Sequence, residues 1–255
     1  MPQIKSETRD HIRILTISNE PKRNAMEGSM AADLLAQFEA CETDARVRAV
    51  VVTGGGQVAF CSGHDLAEIS SGTHAASGLG ETPMLRPMSM KKPVIAAVNG
   101  HCYAAALILA MSCDFRIASK NAMFGSPGAR LGMLPEGGQI GRLPLLMSRS
   151  AALRLMLTGK PLSAADAYQA GFVGALVEPG EALNVAIDLA IEIAANAPAV
   201  VSAVKRGVLI GEGQGVAAAE DFEQKIAREL EVMPDAVEGV RAFFEKRAPV
   251  FTGAA

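Results

Sequence analysis

Three short stretches carry residue types that could do chemistry. Ala104-Ala105-Ala106 stands where the chain enters a wholly apolar segment running to Met111. Small side chains let another molecule come close to the backbone. The first N–H groups of a helix have no intrahelical partner and carry the positive end of its dipole. A turn of this kind suits an oxygen that becomes negative during a reaction. The second stretch is Ala59-Phe60-Cys61-Ser62-Gly63-His64-Asp65-Leu66. It reads as a short strand entering a Ser-Gly turn. Gly63 permits a backbone shape denied to other residues, and Asp65 is placed to cap a helix starting near Leu66. The third is Met133-Leu134-Pro135-Glu136-Gly137-Gly138, a turn before a helix at about Gln139–Leu146. Glu136 is either a helix-capping carboxylate worth about 1 kcal/mol or less, or an acid/base kept exchangeable by apolar neighbours. Its position alone does not separate the two.

The elements that must position these stretches follow from pattern. Val94–Val98 is an apolar strand, Asn99-Gly100 a tight turn, Ala104–Met111 a short helix and Cys113–Ala118 the next strand. Upstream, Ile4–Glu7 and His11–Ser18 read as a hairpin, Met26–Cys41 as a helix with one buried face, and Val47–Thr53 as a strand buried on both sides. Gly54-Gly55-Gly56 lacks the Lys-Ser or Lys-Thr of a phosphate loop, so a turn is the simpler reading. Residues 70–82, rich in Ser and Gly, read as a surface loop or lid. Pro83–Lys92 reads as a helix whose three methionines, Met84, Met88 and Met90, suit a core or a flexible acyl chain. Ser150–Leu157 and Ser163–Ala170 read as helices, Phe172–Val177 as a last strand, and the final sixty or so residues as a helical appendage. Strands and helices alternate before it, which makes the chain α/β. The division expected is a core over 1–195 and a helical region over 196–255.

Composition narrows the class. The 255 residues suit one large domain, or one domain with an appendage, and the net charge of −3 with scattered Lys and Arg argues against a nucleic-acid partner. The four cysteines, Cys41, Cys61, Cys102 and Cys113, lack metal-ligand spacing and read as reduced and buried, which suits a cytoplasmic protein. No signal peptide is visible and no apolar run is long enough for a membrane span.

PVIAAVNGHCYAAALILAMSCDFRIAS followed by FGSPGARLGMLPEGGQIGRLP resembles the enoyl-CoA hydratase/isomerase family, the crotonase superfamily. FCSGHDL resembles the first oxyanion stretch of that family, and LTGKPLSAADAYQAGFV its characteristic helix–turn–helix. The likeness spans nearly the whole chain. It implies a spiral core of ββα units with a C-terminal helical trimerisation region, and a homotrimer or dimer of trimers. It also implies a coenzyme A thioester as substrate, with no metal and no redox cofactor. Carried over by motif, the oxyanion donors are the amides of His64 and Ala105. Ser62, Gly63, Asp65, Leu66, Ala25 and Ile108 would shape the substrate pocket. Lys22 and Arg23 are candidates for the CoA phosphates, with solvated surface charge as the alternative.

Hydratases of this family hold water between two glutamates. The matching positions here are Ile108 and Gly128, neither of which can accept a proton. Pro135-Glu136-Gly137 instead resembles the single-glutamate, peroxisomal-type Δ3,Δ2-enoyl-CoA isomerases. The resemblance thus implies a double-bond shift with Glu136 as the proton carrier, in a pocket lined by Leu107, Ile108, Met133 and Leu134. The alternatives are a hydratase or hydrolase that uses water through Arg130, His101 or His64, and a non-catalytic acyl-CoA-binding protein.

Overall fold

The computed structural model describes residues 1–71, 80 and 82–253. Its core repeats one unit. In each repeat a strand enters a large sheet, the next strand enters a small sheet, and helix follows. The first strands of three such units are β3 (Ala49–Gly54), β5 (Val94–Val98) and β7 (Phe115–Ser119); the second are β4 (Ala59–Cys61), β6 (His101–Tyr103) and β8 (Met123–Gly125). The large sheet has six strands. β1 (Gln3–Arg9) pairs antiparallel with β2 (Ile12–Ser18), β3, β5 and β7 follow in parallel, and β10 (Ala175–Val177) closes the edge. The small sheet runs β4-β6-β8, joined by β9 (Leu162–Ser163) antiparallel to β8.

Alternation within the strands explains the layers. Val50, Val52, Val94, Ala96 and Val98 face the cluster shared with α1 (Gly28–Thr43), α3 (Thr82–Ser89) and α4 (Ala105–Ser112). Ala49, Val51, Ile95, Ala97 and Ile117 face the other way, against Ala182, Ala186 and Ala190 of α8 (Ala182–Ala194). A sheet covered on both faces requires the near-continuous apolar runs that the sequence carries. Every residue of α4 is buried, which accounts for its lack of a polar face.

The sequence-based elements hold with a few shifts. Met26 is not in α1 but bridges His64 from an extended segment. β6 lies between the Asn99-Gly100 turn and α4, where a direct turn into helix was expected. The strand expected over Phe172–Val177 is only β10, and β9 is an addition. The loop expected over 70–82 falls mostly outside the described residues; Ser70 and Ser71 end α2 (Leu66–Ser71) and Thr82 begins α3. Met84 and Met90 are core residues, whereas Met88 is half-buried.

After α5 (Gln139–Leu146), α6 (Arg149–Thr158) and α7 (Ala164–Gln169) the chain leaves the core through α8. It ends in α9 (Pro198–Gln214), α10 (Val216–Leu230) and α11 (Pro234–Glu245). Lys205 of α9 anchors this region. Its ammonium is buried and donates to the carbonyls of Pro87 and Lys92 and to Asp114 Oδ2 at 2.8, 3.1 and 2.8 Å. All four cysteines are free and buried. Burial pushes the Cys41 thiol up to about 11 and those of Cys61 and Cys113 to about 12.

Candidate active site

The segment leading to Gly63 and His64 is pinned from below by two asparagines, Asn24 and Asn99, to which the sequence reading gave no bracing role. Asn24 donates to the carbonyls of Gly55 and Ala59 and accepts from Asn19 N. Asn99 donates to Gly54 and Gly56 and accepts from Gly54 N. An ideal Cβ on Gly54 would lie 2.3 Å from two carbonyl oxygens, so this glycine permits close packing and has no phosphate role. An N-G dipeptide flanked by apolar residues was the available signal for Asn99.

Above this base, Met26 N donates to Gly63 O at 2.8 Å and Asp65 N to Met26 O at 3.0 Å. These bonds engage the groups on either side of His64, so the His64 N–H points away from Met26. Gly63 adopts φ +95°, and a Cβ there would stand 3.0 Å from Ala104 Cβ and 3.4 Å from Ala105 N. The expectation that Gly63 needs a glycine backbone is met, and the 63–64 segment lies against the start of α4. Asp65 caps α2 through Ala67 N at 2.8 Å. Its other oxygen is paired with Lys22 at 2.5 Å. The Lys22 bond, with Ala67 N, holds the Asp65 carboxyl below its ordinary range. Lys22 also reaches Glu27 at 3.2 Å, so its charge is already matched by two carboxylates. Arg23, in the left-handed region at φ 53°, is exposed. Ser62 Oγ donates to Lys22 O at 3.3 Å, and Ala25 is buried beside Met26. The side chain of Leu66 lies outside the described part of the molecule.

The second segment turns at Ala104, whose N–H is held by Gly125 O at 2.9 Å. Ala104 sits at φ 54°, ψ −118°, a conformation that favours glycine. The strain bends the chain so that Ala105 is the first residue of α4, where its N–H has no intrahelical acceptor. Ala105 is 3 % exposed. Ile108, one turn further along the same face, is also 3 % exposed.

The third segment crosses over Ile108. Gly137, at φ +66°, has its Cβ position only 2.4 Å from Ile108 Cδ1. The Glu136 turn is therefore seated on the residue one turn beyond Ala105. Glu136 itself is exposed, as are Leu131, Met133 and Leu134. The expected aliphatic enclosure around Glu136 is thus not formed: Leu107 and Ile108 are buried, and Met133 and Leu134 face solvent. Gly128 is closed to any side chain, since a Cβ there would lie 2.7 Å from the Met133 carbonyl oxygen. The position that the resemblance matches to a hydratase's second glutamate is filled here by backbone. No group of three or more His, Cys, Asp or Glu side chains gathers as a metal site among the described residues.

The family model described as enoyl-CoA hydratase/isomerase matches residues 7–254. The chain belongs to the enoyl-CoA hydratase/isomerase family. It is 32% identical over 254 residues to (E)-benzylidenesuccinyl-CoA hydratase of Thauera aromatica, covering 97% of this chain and 98% of that one. It is 34% identical over 241 residues to the short-chain-enoyl-CoA hydratase of Clostridium acetobutylicum, covering 92% of each. The crystal structure of enoyl-CoA hydratase from Bacillus anthracis superposes with a TM-score of 0.94 at 29% identity, covering 98% of this chain and 99% of that one. That of the Mycobacterium tuberculosis enoyl-CoA hydratase gives 0.93 at 35% identity, with both chains covered in full. The spiral and the C-terminal helices are those of the crotonase fold, and the chain is an acyl-CoA enzyme of this family. These relatives are named hydratases, so the isomerase reading draws no support from their names.

Proposed function

We propose that this enzyme shifts a double bond from Δ3 to Δ2 in an enoyl-CoA. The observation that carries the reading is the seating of Gly137 on Ile108, which holds the Glu136 turn one helical turn from Ala105. Glu136 takes a proton from C2 of a 3-enoyl thioester. The C–H electrons move towards the carbonyl, giving a dienolate whose oxygen is met by the amides of His64 and Ala105. The same carboxyl returns the proton at C4, leaving the 2-enoyl thioester. One acid suffices because the proton removed is the proton returned. By the family resemblance, Ile108 puts a buried apolar side chain where a hydratase carries one of its two glutamates. Glu136 is exposed without substrate, so the acyl chain must itself exclude water from the carboxyl. Arg23, exposed and in the left-handed region, is the cation offered to the CoA phosphates.

The test is the rate of the Δ3-to-Δ2 shift in E136Q. Isomerisation should vanish with CoA-thioester binding retained, and unchanged turnover sinks the role of Glu136. A second reading, hydration, is favoured by the names of the relatives. Steady hydration of crotonyl-CoA by the purified chain would support it, and tight acyl-CoA binding without any turnover would point to a binding protein.

The assembly we infer is a homotrimer or a dimer of such trimers. Val200, Val204 and Val208 of α9 are 46, 61 and 56 % exposed, and they line a cavity of about 620 Å³ with Leu145 and Met88. An apolar surface of this kind calls for cover. Sedimentation velocity of the purified protein decides it, and a monomer at micromolar concentration excludes the assembly.

A further inference from the structure

The side chain of Gln139 does something that its own stability would not select. It is 4 % exposed, its Nε2 donates to the Glu136 carbonyl at 3.0 Å beside the longer bond from its own main-chain N–H at 3.4 Å, and its buried Oε1 has no hydrogen-bond partner among the described residues. Burying an acceptor without a donor is unfavourable, and an apolar residue of the same shape would remove that cost. The amide cannot turn over to relieve it, because Oε1 would then face the Glu136 carbonyl oxygen. Only the donor end has a task, and that task is to hold one peptide group, the one between Glu136 and Gly137.

We propose that Gln139 is a positioning residue for Glu136. The Glu136–Gly137 peptide is held from two sides. From α5, Gln139 fixes the carbonyl; from α4, Ile108 supports Gly137 at φ +66°. With both in place the Glu136 Cα–Cβ direction is set before substrate arrives, although the carboxyl is exposed. Proton transfer is steeply dependent on placement, and an error of about 1 Å can cost on the order of a hundredfold in rate. The chain retains a buried unsatisfied acceptor beside its candidate acid, a local loss of stability that placement of the acid explains. This inference rests on the reading of Glu136 as the proton carrier.

The experiment compares E136Q, Q139M and Q139E with the parent enzyme, using a 3-enoyl-CoA and thermal melts of each. Q139M removes the donor and the unsatisfied acceptor together, so its Tm should equal or exceed that of the parent. Its kcat should fall by about tenfold or more with KM unchanged. Q139E keeps the shape and regains the donor only while protonated. Burial raises a carboxyl pKa, so Q139E should approach parent activity at neutral pH and lose kcat at higher pH, where the parent stays flat. A merely structural role moves Tm and does not produce this new limb in kcat. A dead E136Q beside a Q139M or Q139E of parental kcat at every pH overturns the positioning role and leaves the Glu136 reading standing. An active E136Q overturns that reading and this inference with it. Should Q139M fail to fold, the pH limb of Q139E decides alone.

Discussion

The turn that begins at Ala104 and the turn that carries Glu136 meet at Ile108, yet they are built by opposite means. Around Ala105 the chain is buried, anchored by Gly125 O and packed against Gly63, whose own segment is braced by Asn24 and Asn99. Around Glu136 it is exposed and rich in glycine, and it is held by Gln139, through its side chain and its main-chain N–H, and by the contact with Ile108. The difference follows from what each half must hold. A backbone N–H can meet a developing charge only if the whole chain around it is fixed, because it has no side-chain torsions with which to adjust. In the proposed double-bond shift, a carboxyl that visits both C2 and C4 needs some freedom about a fixed peptide. Rigidity was spent where the donors are main-chain groups.

The comparison breaks most sharply at Ala105. Proline is accepted at the first position of a helix but has no N–H. A105P should therefore keep the fold by circular dichroism and lose about a hundredfold or more in kcat. A rate near that of the parent would show that the buried turn offers no donor to the reaction. A smaller effect is expected at the junction of the two halves. In G137A the new methyl meets Ile108 at a positive φ, so the Glu136 peptide must shift. The rate should fall by about tenfold or more, and truncating Ile108 in the same chain should restore part of it. Absence of that coupling in a double-mutant cycle would mean the halves do not communicate through this contact. The smallest effect is at Ala104, where glycine relieves backbone strain. A104G should stabilise the protein by about 1 kcal/mol, or raise Tm by roughly 2–4 °C. A fall in Tm would contradict the strain.

The buried half was also the more legible from sequence. A strand, a tight turn, three small residues and an apolar helix describe it nearly in full, and the family resemblance placed the same residues. Gly63 and the Asp65 cap were readable from residue type, since a positive φ and an N-cap each have few solutions. Lys22 was not, because a cation in a turn gives no sign that Asp65, forty-three residues later, will claim it. The strands β6 and β9 escaped because three- and two-residue strands carry no period to detect. The exposure of Glu136 escaped for a different reason. Leucine and methionine beside an acid suggest enclosure, but apolar residues in a turn have no partner element to be buried against. Gln139 was legible only as the first residue of a helix, and its burial depends on how the turn before it folds back.

Gly128 has a bearing on how chemistries diverge on one scaffold. The main chain at Met133 stands where a side chain on Gly128 would begin. On the isomerase reading, changing Ile108 and Gly128 to acidic residues would therefore not install hydration, because the second acid has no room to enter until the segment from Gly128 to Pro135 takes another path. On that reading the barrier between the two activities lies in loop geometry, and crossing it would require insertion, deletion or rebuilding of that segment.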